Sequence, residues 1–121
     1  MSKRNFKKPD IMTNKNIYQK EISRIKKVIV ENYKPEKIIL FGSCAFGKIK
    51  PSSDIDMLII KKSQKRRIER IQDVLFMIDN NLPFEPLVYT PLEIKKRLAL
   101  GDFFVKNILE KGKILYEKQI I

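Results

Sequence analysis

The sequence predicts an α/β fold, a small mixed sheet of three or four strands flanked by helices. Three observations carry this. Short apolar runs bounded by Gly, Pro or Asn alternate with longer stretches in which apolar residues recur every three or four positions. The stretch between the second and third apolar runs, Lys61 to Leu82, is mostly helical in pattern, and a helical crossover joins parallel strands. Hydrophobic residues make up 43% of the 121 and charged residues 33%, a globular balance at a length that builds one core.

Residues 1–12 are polar, basic and interrupted by Pro9, and read as a flexible arm ahead of a single domain over residues 13–121. From about Asn14 to Asn32, Tyr18, Ile22, Ile25 and Ile29 form one helical stripe, which Lys34-Pro35 ends because the residue before proline avoids helical torsions. Lys37 to Phe41 suits a buried strand closing on Gly42. Ile55 to Ile60 is apolar on both alternating faces after its acidic start, so it belongs in the middle of the sheet. A second helix is predicted from about Gln64 to Asp79, with Ile68, Ile71, Leu75 and Ile78 as its inward stripe, before a turn at Asn80 to Pro83. Phe84 to Tyr89 is a third strand, directed to a sheet edge by Pro86. Thr90-Pro91-Leu92-Glu93 joins a capping threonine, a first-turn proline and a glutamate three after the cap, which starts a helix running to about Leu100. Gly101-Asp102 recaps the chain into a last helix through Lys111, Gly112 stops it, and Ile114 to Tyr116 is a further strand candidate.

Composition excludes several chemistries. With no histidine, neither a His base nor a His-bound metal is available, and the lone Cys44 forms no internal disulfide or Cys-rich zinc site. Carboxylates, hydroxyls, lysines and oxygen-loving metals such as magnesium remain. No apolar run approaches the ~20 residues that span a bilayer, and the start lacks a secretory apolar stretch, so a cytoplasmic protein with no membrane partner is expected. The net charge of +12 suits anionic partners such as nucleotides, nucleic acid or an acidic protein. Much of it lies in the first 27 residues and in Lys61, Lys62, Lys65, Arg66, Arg67 and Arg70, which read as solvated faces or loops.

The stretch from Phe41 to Asp56 draws the most attention. A strand ending in Gly42-Ser43 and entering a short helix presents unpaired amides and a hydroxyl, a cradle for phosphate oxygens. Asp54 and Asp56 are two apart on a strand and project from one face. Their spacing leaves two readings open, a metal site or two solvated acids at a strand edge. Parallel pairing of the second and third strands brings Glu85 towards both aspartates, and an antiparallel first strand delivers the Gly42-Ser43 turn to the same end.

This constellation resembles the minimal nucleotidyltransferases of the DNA polymerase beta superfamily. The resemblance rests on Gly42-Ser43, ten intervening residues and Asp54-Ile55-Asp56, on Ala45-Phe46-Gly47, on Leu87 to Glu93, and on Glu110 to Glu117; it covers roughly residues 14–118. It implies a polymerase-beta-like palm fold in which Gly42 and Ser43 hold the triphosphate of ATP, the usual donor. Asp54, Asp56 and Glu85 would ligate two magnesium ions, and Glu85 would also help activate the acceptor hydroxyl. Glu85 stands where the family commonly has aspartate, and Cys44 where it often has arginine; the bland reading of Cys44 is a small residue buried beside the turn. Ser43 has no histidine to activate it, which favours direct transfer over a covalent intermediate.

By the same resemblance, the acceptor platform would come from a HEPN-type helical partner, as in toxin and antitoxin pairs, or from a homodimer mate. The acceptor would be a protein tyrosine, a transfer RNA end or a small hydroxyl compound. Two other readings compete with the enzyme: a basic binding module with an idle acidic cluster, and an antitoxin that inhibits by complex formation alone.

Overall fold

The apolar stripe of the first helix organises one side of the molecule. In the computed structural model, which describes residues 14–119, helix α1 (Asn14–Tyr33) buries Tyr18, Ile22, Ile25, Ile29 and Tyr33. The chain leaves the helix through Lys34, whose φ of 55° starts the bend that Pro35 completes. The basic arm expected over 1–12 lies outside the described residues.

The remaining elements are β1 (Lys37–Phe41), β2 (Ile55–Ile60), α2 (Arg67–Met77), β3 (Phe84–Tyr89), α3 (Pro91–Ala99), α4 (Phe103–Lys111) and β4 (Lys113–Glu117). The sheet order is β3-β2-β1-β4. β1 pairs antiparallel with β2 and β4, and β2 pairs parallel with β3. This is the mixed sheet that the crossover argument predicts. β3 lies at an edge, where Pro86 is tolerated despite its missing donor.

Each face of the sheet carries its own core. Ile38, Leu40, Ile55, Met57, Ile59, Phe84 and Val88 pack with α1 and with Val74 of α2. On the opposite face Ile39, Leu58, Ile60 and Tyr89 pack with Ile94 of α3 and with Val105 and Ile108 of α4. β2 is therefore covered on both sides, as its unbroken apolar run requires.

Two expectations fail on α2. The stripe Ile68, Ile71, Leu75 and Ile78 faces the core only in part: Ile78, just past the helix, is buried in it and half-buried Ile71 packs against it, but Ile68 and Leu75 are exposed. Arg70 and Val74 point inward instead. Arg70, expected on a solvated face, is 4% exposed. Its guanidinium donates two hydrogen bonds of 2.8 Å to the Glu93 carboxylate, one of 2.8 Å to the Val88 carbonyl and one of 2.9 Å to the Lys65 carbonyl. A preformed carboxylate and two carbonyls outweigh the burial that Ile68 and Leu75 would bring, because a forked, charge-assisted set of bonds satisfies a buried cation.

The α3 cap forms as the sequence predicts: Glu93 N donates to Thr90 Oγ1 at 3.1 Å, and Thr90 N donates to Glu93 Oε1 at 2.9 Å. Asp102 caps α4 by accepting from Phe104 N and Val105 N at 3.0 and 3.1 Å.

Candidate active site

Sheet register places the predicted acids side by side. Phe41 of β1 pairs with Asp56 of β2, and Asp56 pairs with Glu85 of β3, so the three side chains form one row on the face that carries α3 and α4. Below that row the same face carries the apolar row Ile39, Leu58 and Leu87. Asp54 stands just before β2 on the same side as Asp56.

Gly42 brings the turn against this row. Its φ is 75°, and a Cβ built on it would lie 2.5 Å from Asp56 Oδ2. Only glycine allows both that torsion and that contact. Beyond it the chain forms successive hydrogen-bonded turns and not the short helix expected from the sequence. Ala45 N donates to Gly42 O at 3.0 Å, and Phe46 N and Lys48 N donate to Ser43 O at 3.3 and 3.2 Å. The converging amides close on the Ser43 carbonyl, so the chain winds too tightly to propagate an i to i−4 ladder. Among the described residues, the amides of Ser43 and Cys44 donate to no protein group, and they stay available to an anion.

Two residues that the sequence reading missed brace the loop. Ser53 is buried, its Oγ accepting from Ser43 Oγ at 3.2 Å and from Lys50 N at 2.8 Å. Tyr18 of α1 donates its hydroxyl to the Ser53 carbonyl at 2.7 Å and to the Pro51 carbonyl at 3.3 Å. Cys44 Sγ donates to the Asp54 carbonyl at 3.3 Å. Tyr18 was legible only as a core residue, and nothing in the run Pro51-Ser52-Ser53 marks Ser53 as a brace. Burial, then the negative field of Asp56, pushes the Cys44 thiol up, in keeping with a packing residue and not a reactive one.

The electrostatics of the row are uncompensated. Asp56 is pushed up to about 6, first by burial and then by the charges of Glu85 and Asp54. Among the described residues, none of the three acids joins an ion pair. Three oxygen donors, one partly desolvated and with no cationic side chain beside them, fit a divalent, oxygen-loving cation. Their side chains do not close on one point as they stand: among the described residues no three His, Cys, Asp or Glu groups are gathered tightly enough to hold an ion. Asp54 and Glu85 are exposed and so have rotamer freedom to close on the half-buried Asp56. The row is an open shelf. A hollow of about 490 Å³ lies on the other side of the turn, lined by Leu40, Cys44 and Lys113 among others.

Among the described residues, no helix is long and apolar enough to cross a membrane. The sequence profile of the polymerase beta nucleotidyltransferase domain matches residues 23–121. A protein from Sulfolobus solfataricus, provisionally assigned as a nucleotidyltransferase, has a crystal structure similar to this fold, with a TM-score of 0.59 at 18% identity over 87% of this chain and 85% of that one. No curated protein matches the sequence significantly.

Proposed function

The chain belongs to the polymerase beta nucleotidyltransferase family, and from that premise we propose that it moves AMP from ATP to a hydroxyl on a partner protein. One observation carries this reading: the Gly42 turn, with its unpaired amides, lies in contact with Asp56, in a row that continues to Glu85. A phosphate site and an acidic site thus share one edge.

In this reading the amides of Ser43 and Cys44 orient the triphosphate, while Tyr18 and Ser53 hold the loop, Ser53 by accepting from the Ser43 hydroxyl. Asp54, Asp56 and Glu85 would hold two magnesium ions, which when bound supply charge stabilisation to the attacking and leaving oxygens. The acceptor oxygen forms its bond to the α-phosphorus as the bond to the β-phosphate oxygen breaks, and pyrophosphate leaves. Glu85, exposed at the outer end of the row, takes the hydroxyl proton. With no histidine to activate it, Ser43 binds and does not attack.

The acceptor has to be positioned from outside this small domain, because the row is open to solvent. By family resemblance the partner is a HEPN-type helical protein, modified on a tyrosine and thereby silenced as a toxin; a homodimer mate is the other source of a platform. A net charge of +12 speeds encounter with an acidic partner, so the association rate falls as salt rises. Intact-mass spectrometry of the pair, incubated with ATP and magnesium, tests the reading. The partner gains one or more adenylates with wild type and none with Asp54→Asn. Label on RNA or on a small molecule alone rejects a protein acceptor, and salt-sensitive binding without turnover rejects the enzyme in favour of a binding module.

A further inference from the structure

The row of acids does not end at Asp56. Its next member, Phe41, meets Phe104 of α4 edge-on, with ring centroids 5.8 Å apart and planes at 87°. α4 is anchored by Val105 and Ile108, which are almost wholly buried, whereas Phe104 is 54% exposed. A phenyl ring left half in water, packed on the residue that pairs with Asp56, gains little from the core and keeps apolar surface exposed.

We propose that Phe104, backed by Phe41, is the shelf on which the base of the bound nucleotide stacks. This rests on the reading of the Gly42 turn and the acids as a triphosphate site. The order across the sheet supports it: Glu85, Asp56 and Phe41 are successive neighbours, Phe104 of α4 packs on Phe41, and the phosphate turn leaves β1 immediately after Phe41. A nucleotide with its phosphates on the turn therefore has an apolar, planar surface within reach on one side and acids on the other. A base gains from the first and not from the second. Stacking accepts any base, so the shelf adds affinity without reading Watson–Crick edges, and purines, with the larger faces, gain most.

The chain contains no tryptophan, so Phe104→Trp installs a single reporter at the shelf. With magnesium present, ATP should quench its fluorescence, while inorganic tripolyphosphate, which has no base, should leave it unchanged and still compete with ATP. Calorimetry of Phe104→Ala should show ATP binding weakened roughly tenfold with tripolyphosphate affinity unaltered, and Phe103→Ala should match wild type for both. Equal ATP affinity in wild type and Phe104→Ala, with weaker binding by Gly42→Asp, overturns the shelf and leaves the triphosphate site standing. A parallel loss of ATP and tripolyphosphate affinity in Phe104→Ala also overturns it, because a stacking residue discriminates between them. No ATP binding by wild type removes the nucleotide site and the shelf together.

Discussion

Replacing Asp56 by asparagine should make the metal-free protein more stable at neutral pH while abolishing its transfer activity. In the folded chain Asp56 is pushed up from 3.8 to about 6 by burial and by the charges of Glu85 and Asp54. Because the folded value lies above the unfolded one, Asp56 favours folding fully below 3.8, and that contribution is lost as pH rises through about 6. At neutral pH the ionised carboxylate therefore works against the fold. A shift of about two units corresponds to at most ~3 kcal/mol at ~1.4 kcal/mol per unit, and solvent screening of a partly exposed group reduces this to about 1 kcal/mol. Asparagine keeps the volume and removes the charge. Thermal unfolding in EDTA at neutral pH should place Asp56→Asn about 4 °C above wild type, and the gap should close in acid, below 3.8. Added magnesium should raise the wild-type midpoint and leave the variant's nearly unchanged. An Asp56→Asn protein no more stable than wild type in EDTA would refute the electrostatic reasoning, whatever its activity.

Glu93→Gln leaves the buried Arg70 guanidinium without its anion; because Glu93 is 37% exposed, the expected loss by urea unfolding is about 1–2 kcal/mol. Arg70 holds Glu93 down at about 2 in place of 4.5, so wild type alone should lose stability as pH falls through that window, and a variant with the same acid limb would contradict the assignment. Gly42→Ala and Gly47→Ala both place a side chain at a φ near +75°, at 75° and 76°, yet only the first meets Asp56. Each should cost about 1 kcal/mol from backbone strain, while only Gly42→Ala should also abolish nucleotide binding in calorimetry. On α2, Phe76→Gln should change stability by less than about 0.5 kcal/mol, because Phe76 is 90% exposed; Val74→Ala, at a fully buried site, should cost ~1–3 kcal/mol, and the reverse ranking would contradict the orientation in which Val74 faces the core.

The sequence by itself determined the elements and the chemistry on offer. The α1 stripe, the apolar runs of β1 and β2, the capping box at Thr90 and the edge-seeking Pro86 are short-range signals, set by torsions, caps and periodicity within a few residues. The nearness of Asp56, Glu85 and the Gly42 turn was legible for a related reason: a crossover helix forces β2 and β3 parallel, and an antiparallel β1 ends beside the start of β2, which aligns residues far apart in the chain. Tertiary structure decided the rest. Arg70 turns inward because Glu93, 23 residues on, and the Val88 carbonyl receive it, and no local pattern on α2 records a partner on another element. Tyr18 and Ser53 meet across 35 residues, and Phe104 reaches Phe41 only once α4 has packed on the sheet. Hydrophobic periodicity reports which residues leave water, whereas a buried cation, a braced loop and an aromatic shelf depend on which group stands opposite, and only packing between elements supplies that.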